Sequence, residues 1–138
     1  MDLAAESHDG ALMFEMYFAD NLDLQKLCDA IAKHLFVRRE DVGIVPLHLI
    51  DTKNTAVVIE EMDGDFPFGV TIHTELLWFQ INEIELAQKL CTSLQTKCLT
   101  SDNGDNPYRW LLINDQSVQS VLTHPELFDG QCIFKIVG

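Results

Sequence analysis

Ala56-Val57-Val58-Ile59-Glu60-Glu61-Met62-Asp63-Gly64-Asp65-Phe66-Pro67-Phe68-Gly69-Val70-Thr71-Ile72-His73-Thr74 decides the fold of this chain. Residues 56–59 are a β-branched run and residues 70–74 alternate apolar and polar side chains, while Asp63-Gly64 between them is a turn signal. Two successive strands joined this way pair antiparallel, even though the loop over 63–67 is longer than a two-residue hairpin turn.

Upstream, residues 12–18 form a short apolar run rich in aromatics, suited to an opening strand buried on at least one face. Asp20-Asn21 offers cap chemistry. Leu24, Leu27, Cys28, Ile31 and Leu35 then recur at three- and four-residue steps with Lys26, Asp29 and Lys33 off the stripe, which predicts an amphipathic helix. Residues 42–50 contain Gly43 and Pro46 and read as an irregular or edge strand.

Downstream of the hairpin, Leu76-Leu77-Trp78-Phe79 leads into a second helical stripe of Ile84, Ala87, Leu90, Cys91 and Leu94. Residues 101–107 are dense in turn formers and predict a loop. Residues 108–113 and 132–137 read as strands.

The expected order is strand, helix, weak strand, strand, strand, helix, strand, strand. Two helices separated by a hairpin, each crossing back to a strand, predict an α+β fold: a mainly antiparallel sheet with both helices on one face, of the split β-α-β (ferredoxin-like) type. At 138 residues the expectation is one domain over 1–138, with 1–11 flexible. The second sheet face would be partly open, and an uncovered face or edge is where such domains accept partners.

Hydrophobic residues make up 47% of the chain and charged residues 22%, a globular balance. The formal net charge of -13 comes from 22 carboxylates against 9 Lys and Arg. Residues 1–25 and 54–88 hold no Lys or Arg at all, while the second stretch carries Glu60, Glu61, Asp63, Asp65, Glu75, Glu83 and Glu85. Such a field repels phosphate backbones and anionic membranes and speeds encounter with a basic protein surface. The first residues lack a basic n-region, and no apolar run approaches the roughly 18 residues of a membrane span, so a cytoplasmic location is expected. Cys28, Cys91, Cys98 and Cys132 form no C-x-x-C pair and sit within apolar patterns, which predicts reduced, buried thiols.

Catalytic, metal and cofactor signatures are not found. His8, His34, His48, His73 and His124 show no H-x-x-H spacing. Asp102-Asn103-Gly104-Asp105-Asn106 is rich in oxygen ligands but has its glycine two residues after the first aspartate and no twelfth-position glutamate, which fails the calcium-loop order. No glycine-rich phosphate loop or nucleophile elbow occurs. His73, on the alternating strand, receives no role. Trp78-Phe79 and Trp110 read as core, whereas Tyr108, directly after the polar loop, reads as standing at the rim of the sheet.

The opening strand Met13-Phe14-Glu15-Met16-Tyr17-Phe18, a helix over 23–36, a two-stranded middle and the late segment Asp105-Asn106-Pro107-Tyr108-Arg109-Trp110-Leu111-Leu112-Ile113 resemble small acidic immunity proteins of bacterial polymorphic-toxin and contact-dependent inhibition systems. The resemblance implies a protein that binds a cognate toxin domain and occludes its basic active-site surface, with carboxylates substituting for phosphates. The expected contact residues are Glu60, Glu61, Asp63, Asp65, Asp102, Asp105 and Tyr108. The expected partner is a protein, with no nucleic acid, no membrane and no cofactor, and with a homodimer left open. An acidic secretion chaperone for an exported effector and an enzyme of unrecognised type are the alternatives.

Overall fold

A computed structural model describes residues 11–46, 48, 55–75, 81–125, 127 and 134–137. Among these residues seven strands form one sheet: β1 (Ala11–Phe18), β2 (Val42–Ile44), β3 (Thr55–Glu61), β4 (Phe68–Glu75), β5 (Cys98–Ser101), β6 (Arg109–Ile113) and β7 (Val118–Leu122). Their spatial order is β2-β3-β4-β1-β5-β6-β7. Every neighbouring pair is antiparallel except β2 with β3. Helices α1 (Leu24–Leu35) and α2 (Glu83–Leu94) follow β1 and β4. Among the described residues the fold is therefore α+β, with helices α1 and α2 beside a mostly antiparallel sheet.

Both helices start and stop for local reasons. Asp23 caps α1 by accepting the Lys26 N–H at 3.0 Å, and Asn82 caps α2 by accepting the Glu85 N–H at 2.7 Å. The α1 cap is thus Asp23, two residues beyond the Asp20-Asn21 pair expected from sequence, with Asp23 itself still extended. Each helix ends on a left-handed residue that is not glycine, Phe36 at φ 56° and Gln95 at φ 55°.

The helical stripes bury Leu27, Cys28, Ile31 and Leu35 from α1 and Leu86, Ala87, Leu90 and Cys91 from α2. They pack on Phe14, Met16 and Phe18 of β1, Val57 of β3 and Phe68, Val70 and Ile72 of β4, all on one face of the sheet. His34 Nε2 and Ser93 Oγ, 2.7 Å apart, join the helices at their C-terminal ends. The helix layer stops short of β7, where Val118 and Leu122 remain exposed.

A second, smaller core lies on the opposite face. Phe66, Leu99 and Phe134 are buried there against Tyr17, Trp110, Leu112, Val121 and Ile136. Residues 134–137 close it. Their expected continuous strand is reduced to isolated bridges, Phe134 to Gly64 and Ile136 to Thr123, with the Val137 N–H on Leu122 O at 2.8 Å. Cys132, at the start of that expected strand, and Trp78-Phe79 fall outside the described residues.

Candidate functional site

The second face of the sheet is divided in two. On the β5–β7 side it carries the small core. On the β1–β4–β3 side no helix of the described residues lies over it, and strand register sets out what it presents. Met13, His73 and Ala56 lie in one cross-strand row, Glu15, Thr71 and Val58 in the next, and Tyr17, Gly69 and Glu60 in the third. Alternation places these residues opposite the helix-facing set.

Tyr17 marks the border. Its ring lies over Gly69, where an added Cβ would stand 3.2 Å from Tyr17 Cδ1, so glycine makes room for the ring. The ring packs against Phe134 with centroids 4.5 Å apart and against Trp110 edge-on at 5.9 Å. Its hydroxyl donates to the Glu15 carboxylate at 3.1 Å, which turns Glu15 toward the border and holds its charge at the surface.

Beyond Glu15 the face hollows into a cavity of about 440 Å³, floored by Met13, Val58 and Thr71, walled by Val45 and Pro46, with Glu15 and Glu60 as its carboxylates and His73 as its imidazole. His73 Nε2 is buried and has no hydrogen-bond partner among the described residues. No hydrogen bond joins His73 to Glu15 or Glu60 among the described residues. No group of three or more His, Cys, Asp or Glu side chains with metal-binding geometry occurs among the described residues. An apolar floor flanked by carboxylates suits a long cationic side chain, whose methylenes lie on the floor while its head meets the acids.

Charge is partitioned between the two faces. Strands β1, β3 and β4 contain no Lys or Arg. Of the nine basic residues, Lys26, Lys33, Arg38, Arg39, Lys89 and Lys97 belong to the helices and the turns after them. Two of them pair with acids of the same layer: Arg39 Nε meets Asp29 at 2.6 Å and Arg38 Nε meets Asp41 at 3.1 Å.

The seven residues expected to bind a partner fall into two groups. Glu60 stands on the open face, and Glu61 and Asp63 line a neighbouring hollow of about 420 Å³ with Asn21, Met62 and Pro67. Asp65 is exposed but engaged within the chain. Its N–H donates to Phe134 O at 2.8 Å, its carboxylate accepts the Ile136 N–H at 3.2 Å, and Lys135 Nζ lies 3.6 Å away. Asp102 accepts the Gly104 N–H at 2.9 Å within its own loop, and Asp105 is exposed in that loop. Tyr108 is half-buried, and its carbonyl accepts from the Thr123 N–H at 2.8 Å and the Thr123 hydroxyl at 3.1 Å. Asp65 and Tyr108 are connected through Ile136 and Thr123, which bridge each other. Asp102 and Asp105 leave the sheet at the end where β1 begins, whereas Glu61 and Asp63 sit at the end where it finishes. Sequence reasoning passed over Glu15 and His73. The alternating pattern around His73 was the available signal, but only the register with β1 shows that the two share a face.

Comparison with protein-family models, with curated proteins and with solved structures finds no match to this chain. Fold and site together define an acidic α+β protein whose sheet has one carboxylate-bearing half that no helix of the described residues overlies.

Proposed function

We propose that this chain is a binding protein for a basic macromolecular partner, and that its particular role is to neutralise a cognate bacterial toxin domain by covering that domain's active-site surface. The observation that carries the reading is the charge partition: the half of the sheet that no described helix overlies holds Glu15 and Glu60, Glu61 and Asp63 line a hollow at its end with Asn21, and six of the nine basic residues belong to the helix layer. A one-sided acidic surface attracts a basic protein surface and repels nucleic acid and anionic lipid. Buried, unbridged Cys28, Cys91 and Cys98 support a cytoplasmic site of action.

We infer further that the inner unit of the fold is the ferredoxin-like split β-α-β arrangement. In support, β1 lies between β4 and β5 and antiparallel to both, with α2 connecting those two strands, and β4 lies between β1 and β3 in the same relation. On this reading β2, β6 and β7 are additions to a four-stranded centre.

The test is capture of partners from the native cell by the tagged chain and by a variant carrying Glu60→Lys, Glu61→Lys and Asp63→Lys. Asp65 is left intact because its carboxylate holds residues 135–136. The intact chain should retain a protein with a basic domain at about 0.05 M salt and release it near 0.5 M, and the variant should retain none. Co-expression of the captured domain with the intact chain should restore growth that the domain alone arrests. A partner indifferent to both salt and charge reversal, or the absence of a stable partner, overturns the reading.

A further inference from the structure

Two thiols that stand apart in the sequence meet in the fold. Cys91, in the last turn of α2, and Cys98, the first residue of β5, are fully buried with their Sγ atoms 3.6 Å apart. The backbone between them forces the meeting. Gln95 turns left-handed at φ 55°, the Thr96 N–H returns to Cys91 O at 3.1 Å, and the chain enters β5 directly alongside the helix it has just left. Cys91 also borders a cavity of about 520 Å³ rimmed by Asp20, Gln95, Thr96, Lys97 and Asn114, while Cys98 does not line it.

We propose that Cys91 and Cys98 are a redox-active dithiol, oxidised to an intramolecular disulfide by a small disulfide of the glutathione class that enters through this cavity. The Cys91 thiolate attacks one sulfur of the oxidant, whose S–S bond breaks and releases one thiol. The Cys98 thiolate then attacks Cys91 Sγ, the intramolecular S–S bond forms, and the second thiol leaves. Both protein protons pass to the departing thiolates, so two protein thiols are oxidised while one small disulfide is reduced to two thiols. The sulfurs must close from 3.6 Å to a bond of about 2 Å. The hydrogen bond with Cys91 and burial hold the Cys98 thiol well above its ordinary range, so the second step is slow at neutral pH and accelerates as pH rises. The bond would staple the end of α2 to β5, a site distinct from the open acidic face.

The experiment incubates the full chain with oxidised glutathione, alkylates the remaining thiols after denaturation, and maps the peptides by mass spectrometry. A peptide pair joined through Cys91 and Cys98 and lacking two hydrogens is expected, with Cys28 still alkylated. The Tm should rise by roughly 5 to 10 °C. In Cys98→Ala the mixed disulfide should persist on Cys91, since no second thiol remains to displace it. Full alkylation of Cys91 and Cys98 in the exposed wild-type chain overturns the proposal, as does a disulfide that instead includes Cys28 or Cys132.

Discussion

Three buried threonines show how the surroundings of a residue, and not its type, set its contribution. Thr55 and Thr74 are buried on neighbouring strands with their hydroxyls 2.8 Å apart, each satisfying the other. Thr100, fully buried on β5, has a hydroxyl with no hydrogen-bond partner among the described residues. Burying a hydroxyl unpaired costs about 1 to 3 kcal/mol, whereas pairing it recovers that cost. Thr100→Val should therefore raise stability by about 1 kcal/mol. Thr74→Val, which orphans the Thr55 hydroxyl, should lower it by about 1 to 3 kcal/mol. Urea unfolding of the two variants measures both, and a shared sign would refute the assignment. Nothing in the sequence separates these threonines. Residue spacing likewise conceals the Cys91 and Cys98 contact, because seven positions along a chain place two side chains together only when a left-handed turn such as that at Gln95 reverses its direction.

The two helices and strands β1, β3, β4 and β6 follow from their hydrophobic periods, since each buries a face wide enough to impose one on the sequence. Strands β5 and β7 do not. Cys98-Leu99-Thr100-Ser101 is four residues long and runs straight into turn formers, and Val118-Gln119-Ser120-Val121-Leu122 lies at the sheet margin with little burial to pattern it. The shortness of β5 also leaves β1 paired on that side only at Tyr17 and Phe18. Helix α2 compensates, for Glu83 in its first turn accepts the Glu15 N–H at 2.7 Å. Burial pushes the Glu83 carboxyl above its ordinary value, partly offset by that hydrogen bond, with the negative charge of Glu15 adding to the rise. The folded state thus binds a proton more readily than the unfolded chain between the ordinary glutamate value and the raised one. Stability from this group is complete below the ordinary value and is lost as pH climbs through the raised one. Urea midpoints should accordingly increase as pH falls from about 7 to about 4.5, and Glu83→Gln should flatten that increase, because its amide titrates nothing while its oxygen can still accept the Glu15 N–H. An unchanged slope in the variant would remove Glu83 from the account.

At the scale of the whole molecule the net charge of -13 is unevenly felt. Composition alone reveals the acidity, and the runs without Lys or Arg point to the loop around Glu61 and Asp63. The open face itself is not readable that way, because deciding that Glu15, Glu60 and His73 share one side requires the register of three strands. The distribution has a mechanical consequence. Asp29 and Asp41 each sit against an arginine, whereas Glu60, Glu61 and Asp63 stand in a region whose strands carry no basic residue. Folding brings Glu15 and Glu60, far apart in the chain, to one cavity near Glu61 and Asp63, so the repulsion among these carboxylates opposes the compact state. Raising NaCl from about 0.01 to about 0.15 M shortens the screening distance from roughly 30 to 8 Å and should stabilise the fold by about 0.5 to 1 kcal/mol. Replacing Glu61 and Asp63 by Gln and Asn should remove much of that gain, while replacing Asp29 and Asp41 by Asn should leave it in place, since salt weakens an attraction at those two sites and a repulsion at the others. Urea midpoints at the two salt concentrations decide the matter: a fall with added salt, or equal sensitivity of the paired and unpaired sites, would mean that the acidic half is not the locus of strain and that its charge is balanced within the chain.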